Sequence, residues 1–120
     1  DELKASIRSV RSLYPGRRIT VAFQPHLYSR TRDFAAQFAD ALSLADEVIL
    51  LDIYPAREEP IPGVTSEIIF NAIKSPCKQM ISKENLVETL KKLNFEVLLT
   101  AGAGDINLYL PEIVRETERQ

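Results

Sequence analysis

The 120-residue chain has one cysteine, Cys77, and one histidine, His26. A lone cysteine excludes an internal disulfide, and the two residues are too few for a Cys/His metal centre. Cys77 reads as a small, partly buried side chain in a reducing compartment. Basic residues are in no excess: 15 Lys and Arg against 17 Asp and Glu leave a net charge of −2. Proteins that track phosphate backbones need a basic face, so nucleic acid is not an expected partner, though a local anion site stays open. No apolar run approaches the ~18 residues of a membrane span, and no signal peptide opens the chain. A G-x-x-x-x-G-K-S/T loop is also missing, so the chain alone has no evident means of using ATP. The expectation is a soluble, cytoplasmic protein.

What is present suits one globular domain. The hydrophobic fraction of 45% and charged fraction of 27% are ordinary, and the length suffices for a core without staples. The first residues, "DELKASIRSVRSLY", already carry a helical pattern and no initiator Met. Residues 1–120 are therefore expected to be a single domain excised from a larger enzyme.

Leu3, Ile7, Val10 and Tyr14 recur at helical spacing over residues 2–14, and Pro15-Gly16 stops that helix. "RRITVAFQ" (17–24) alternates as a strand, and residues 30–44 give a second helix with Phe34, Phe38, Ala41 and Leu42 on one stripe. "EVILLDI" (47–53) is nearly continuous apolar, as in a strand covered on both faces. Three prolines and a glycine in 54–64 predict a stiffened loop. Thr65 or Ser66 is expected to cap a short helix reaching about Lys74, before a strand near 77–81. Ser82 is expected to cap a helix through Leu93, 95–104 forms a strand, and 105–119, with Pro111 early in it, forms the last helix. This alternation predicts an α/β fold: a three-layer, Rossmann-like domain, its mostly parallel sheet carrying helices on both faces.

Ligands of open α/β sheets bind beyond the carboxyl ends of the strands. Three stretches reach that edge. After the first strand come His26, Arg30 and Arg32 at the start of a helix, a setting suited to a carboxylate or phosphate. The alternative is a solvated turn with arginines paired to Asp33 or other acids. After the second strand, "DIYPAREEP" gathers Asp52, Tyr54, Arg57, Glu58 and Glu59. Asp52 could orient an amine or an arginine, or simply close a turn, while Glu58-Glu59 reads as a solvated pair. After the fourth strand, "TAGAGDIN" resembles half of a phosphate loop. Gly102, Gly104 and Asp105 are thus weak cofactor-binding candidates, or else a tight turn with a helix cap.

Taken together, "FQPHLYSRTRDF" (23–34), "LSLADEVILLDIYPAREEPIPG" (42–63) and "LLTAGAGDI" (98–106) resemble the C-terminal domain of the Mur ligases, especially the branch that adds L-alanine. The likeness spans essentially all of residues 1–120. It implies a three-domain cytoplasmic enzyme of peptidoglycan synthesis that joins L-alanine to UDP-N-acetylmuramate. Its other domains would bind the UDP-sugar, ATP and Mg2+, and an acyl phosphate would be attacked by the alanine amine. The C-terminal domain would act as a lid that binds the amino acid, and would be inactive alone. By the same resemblance His26 and Arg30 match the family run "QPHRYSRT" near the alanyl end of the ligand. Leu27 stands where that run has an arginine, which leaves the clamp one fork short unless Arg32 or Arg57 supplies it. Rival expectations are a sibling Mur or muropeptide-recycling ligase, or a stand-alone nucleotide- or phosphate-binding module.

Overall fold

The computed structural model describes residues 2–93 and 95–102. The chain runs α1 (Glu2–Leu13), β1 (Ile19–Gln24), α2 (Tyr28–Leu42), β2 (Glu47–Leu51), α3 (Glu67–Phe70) and β3 (Lys78–Ile81). A 3-10 turn (Lys83–Asn85), α4 (Leu86–Lys92) and β4 (Val97–Gly102) follow. The sheet order is β3-β2-β1-β4, and every pairing is parallel.

Side-chain alternation along the inner strands divides the core in two. Ile19, Val21 and Phe23 of β1, with Val48 and Leu50 of β2, face a cluster that includes Ile7 of α1, Leu42 of α2 and Ile69 of α3. Ala22, Ile49 and Leu51 face the other way, onto Leu86 and Leu90 of α4. All six residues of β1 are buried, as its central place requires. The chirality of parallel crossovers accounts for the layers. From β1 to β3 the chain steps in one direction and lays its helices on one face. It then returns past β1 to β4, and a crossover of the same hand places α4 on the opposite face. The strand order therefore reverses between β1 and β4, which is where such sheets open a crevice.

Several local expectations need correction. Helix α2 starts at Tyr28, two residues early, and Phe34 leaves helical geometry at φ −120°, ψ 17°. Phe34 is 40% exposed rather than part of an inward stripe, and Tyr14 at the end of α1 is 49% exposed. α3 is four residues long. Of the two expected caps, the Thr65 hydroxyl accepts the Glu67 amide at 3.2 Å, while the Ser66 hydroxyl donates to the Leu51 carbonyl at 2.6 Å and ties the helix to the end of β2. Ser82 opens a 3-10 turn without a side-chain cap bond. Cys77 is exposed rather than partly buried, just ahead of edge strand β3. Gly104, Asp105, Pro111 and the expected last helix lie outside the described residues.

Candidate functional site

At the carboxyl edge, the loops after β1 and β2 are zipped together. The Tyr54 amide donates to the Pro25 carbonyl and the Leu27 amide to the Tyr54 carbonyl, both at 2.8 Å. These bonds make an isolated parallel bridge between His26 and Tyr54, whose rings lie 5.8 Å apart at 34°. Pro25 cannot continue the ladder as a donor, so the strand ends there and the chain turns outward. The turn passes through Leu27 at φ 69°, a left-handed backbone sparsely populated by non-glycine residues. Leu27 then begins α2: its carbonyl accepts the Thr31 amide at 3.1 Å and the Thr31 hydroxyl at 2.8 Å.

Leu27 has no side-chain oxygen to satisfy the first amides of the helix, which would otherwise lack partners. Glu58, far along the second loop, does this instead. Its carboxylate accepts the Ser29 amide at 2.9 Å and also the Ser29 hydroxyl. The hydroxyl and amide of Ser29 hold the Glu58 carboxyl below the usual glutamate range. A negative charge at a helix N-terminus is favoured by the helix dipole as well.

An open cleft of about 880 Å³ lies beside this edge, at the reversal between β1 and β4. α1 contributes Glu2, Leu3 and Ser6, and α2 contributes Arg30, Phe34, Gln37 and Phe38. The sheet supplies Phe23, Gln24, Ala101 and Gly102, with His26 and Leu27 at the turn. Arg30 sits with its guanidinium carbon 5.6 Å from the Phe34 ring centre. Phe34 contacts Phe38 at 6.4 Å between centroids, and Phe38 contacts Phe23 at 5.2 Å. A guanidinium stacked on a ring is oriented while its in-plane N–H donors stay available to an anion.

Of the residues singled out from sequence, His26, Arg30 and Gly102 line this cleft together. Tyr54 stands behind His26 and holds its backbone. Arg32 turns to Asp33, with Nε 2.9 Å from the carboxylate, and does not line the cleft. Asp52 and Arg57 are exposed, away from the cleft lining. Sequence reasoning missed Glu58, which is no solvated partner of Glu59. The only local hint was a proline-braced loop; its contact with Ser29 spans 29 residues.

Comparison with known proteins decides the family. Residues 1–111 match the family described as Mur ligase, glutamate ligase domain. The chain belongs to the Mur ligase family. It is 57% identical over 113 residues to the UDP-N-acetylmuramate–L-alanine ligase of Phocaeicola vulgatus, covering 93% of this chain and 25% of that protein. A protein of the same name from Parabacteroides distasonis is 57% identical over 115 residues, covering 96% of this chain and 25% of its own. The crystal structure of UDP-N-acetylmuramate–alanine ligase from Thermotoga maritima aligns with a TM-score of 0.72 at 26% identity, covering 99% of this chain and 24% of that one. The chain thus spans about a quarter of these Mur ligases. The α/β architecture expected from the strand and helix alternation is that of the family.

Proposed function

We propose that this chain is the amino-acid-binding, lid-forming C-terminal domain of a three-domain ligase that joins L-alanine to UDP-N-acetylmuramate in peptidoglycan synthesis. The observation that carries this role is the placement of His26 and Arg30 together at the mouth of the cleft between β1 and β4. The names of its Mur ligase relatives supply the substrate.

The incoming alanine brings a carboxylate and an ammonium. Arg30, backed by Phe34, offers two parallel N–H donors to the carboxylate, and His26 at the same turn adds a further donor. Held there, the alanine amine points out of this domain toward an acyl phosphate carried by the rest of the enzyme. Once the ammonium has lost a proton, the free amine attacks the acyl carbon, phosphate leaves, and loss of a second proton from the nitrogen gives the amide. Positioning of this kind can account for roughly 7–11 kcal/mol of a barrier, and a lid that excludes water protects the activated acid from hydrolysis. The chain carries no Walker loop, so we assign the nucleotide to the rest of the enzyme. On this reading ATP and Mg2+ would be held by the remainder of the enzyme, and a step that consumes ATP suits the cytoplasm. Among the described residues no helix is long and apolar enough to cross a membrane.

Arg30→Ala in the full-length ligase tests this role. Loss of a charged hydrogen-bonding pair corresponds to about 1.5–3 kcal/mol, hence a rise in the KM for L-alanine of roughly 10- to 150-fold. The KM for the UDP-sugar should stay near wild type. An unchanged KM for alanine would remove Arg30 from the clamp. Assaying glycine, serine and a tripeptide in place of alanine separates this ligase from its siblings.

A further inference from the structure

We infer that Glu58 is a positioning residue for the amino-acid clamp, holding Arg30 in place through Ser29 although it does not itself line the cleft. The inference rests on the amino-acid-binding role proposed above and adds a residue from a different loop to it.

Three features of α2 make its first turn dependent on an outside support. Its N-cap, Leu27, offers no side-chain hydrogen bond. The backbone of Leu27 is left-handed, a state that persists only where the surroundings hold it. At the other end, the non-helical geometry of Phe34 separates the turn carrying Arg30 and buried Thr31 from the longer half that buries Ala39, Ala41 and Leu42. Residues 28–33 therefore form a short segment that cannot take its position from helix continuation alone, since isolated helical turns are marginal.

Glu58 supplies the support. It binds both the amide and the hydroxyl of Ser29, the residue next to Arg30. Its own backbone is fixed, because the Glu58 amide donates to the Pro55 carbonyl at 2.9 Å and the Tyr54 bridge anchors the start of the loop. The path from β2 to Arg30 is thus continuous: Tyr54 bridge, Pro55 turn, Glu58 carboxylate, Ser29. The carboxylate also occupies the helix N-terminus, leaving the Arg30 guanidinium and the His26 ring as the donors that meet an incoming carboxylate at the cleft.

Displacement of a positioned group by about 1 Å can cost as much as 100-fold, so Glu58→Ala in the full-length ligase should raise the KM for L-alanine about 10- to 100-fold. Glu58→Gln keeps an acceptor for one Ser29 donor and should give a smaller rise. Ser29→Ala, which retains the backbone bond, should give the smallest. KM values for ATP and the UDP-sugar should stay within about twofold, a split that general unfolding would not produce. In the Arg30→Ala background, Glu58→Gln should add nothing, because its effect runs through Arg30. A raised KM for Arg30→Ala beside wild-type KM values for Glu58→Gln and Ser29→Ala would overturn this proposal alone. So would multiplicative effects in the double variant, or equal changes in all three KM values. An unchanged KM for Arg30→Ala would overturn the clamp and this proposal together. Should Glu58→Ala fail to accumulate, the Gln and Ser29 variants carry the same test.

Discussion

Gly102, the last residue of β4, lies flat against the backbone of Gln24, its register partner at the end of β1. A β-carbon at 102 would press into the Gln24 carbonyl oxygen and stand 3.1 Å from its carbonyl carbon and amide nitrogen. The backbone there is also left-handed, at φ 119°. Gly102→Ala should therefore cost more than the roughly 1–3 kcal/mol of a strained backbone alone, because the obstacle is main chain and cannot rotate away. Gly63 makes the control. It too has positive φ, at 80°, but nothing lies within 4 Å of its β-position, so Gly63→Ala should cost only about 1–2 kcal/mol. Urea unfolding of both variants measures the difference; equal losses would show that the contact at Gln24 relaxes freely.

Leu50 and Met80 are partners in the β2–β3 register, yet Leu50 is fully buried and Met80 is 40% exposed. Position in the sheet makes the difference, since β3 is an edge strand. Leu50→Ala should cost about 2–5 kcal/mol through lost burial and a residual cavity. Met80→Ala should change stability by no more than about 0.5–1 kcal/mol, as surface substitutions do. Comparable losses at the two positions in denaturant titrations would mean that another surface covers β3.

Alternating large apolar residues made β1 legible in the sequence and a nearly continuous apolar run made β2 legible, and their alternation with helical segments made the parallel sheet legible. Val21 and Phe23 face one layer and Ala22 the other, as the pattern requires. The strand order was not legible, because the return of β4 to the side of β1 is a pairing between residues some eighty positions apart. The same limit applied at the site. The i, i+4 spacing of Arg30 and Phe34 is local and permits stacking; Glu58 on Ser29 is a contact across two loops. Ser66 illustrates the converse error. Thr65 or Ser66 is the expected cap before a short helix; the Thr65 hydroxyl accepts the Glu67 amide, while the Ser66 hydroxyl instead donates across to the Leu51 carbonyl of β2.

Lys78 joins β3 to the end of α3. Its ammonium donates to the carbonyls of Phe70 at 2.8 Å and Ile73 at 3.0 Å, and lies 4.6 Å from the Phe70 ring centre. These carbonyls lie at the helix C-terminus and just beyond it; that of Phe70 also accepts the Ile73 amide at 3.2 Å, and the last carbonyls of a helix have lone pairs left to share. Lys78→Met keeps the apolar stem and removes the donors, so it should cost about 1.5–3 kcal/mol, the range for a hydrogen bond to a charged group. Lys92→Met, on the exposed end of α4, should stay within about 0.5 kcal/mol. Equal midpoints for the two variants in urea would show that the Lys78 contacts contribute nothing net.

Acid should weaken the fold through two glutamates at opposite ends of the sheet. The Ser29 hydroxyl and amide hold Glu58 below the ordinary glutamate value of 4.5. The Arg18 amide, at 2.8 Å, and then Arg17 do the same for Glu96. In both cases the folded form releases its proton at lower pH than the unfolded form. Each therefore contributes stability above about pH 4.5 that is lost as pH falls through the depressed folded value. Thermal melts should give a Tm that changes little on this account between pH 7 and 5 and falls below pH 4.5. The Glu58→Gln/Glu96→Gln double variant should start lower at pH 7 and fall less steeply in acid, since its amides do not titrate. If the double variant keeps the wild-type acid slope, the protons that unfold the chain bind elsewhere, with Asp33, Asp40 and Asp46 next in line because their carboxyls are also held below the ordinary aspartate value.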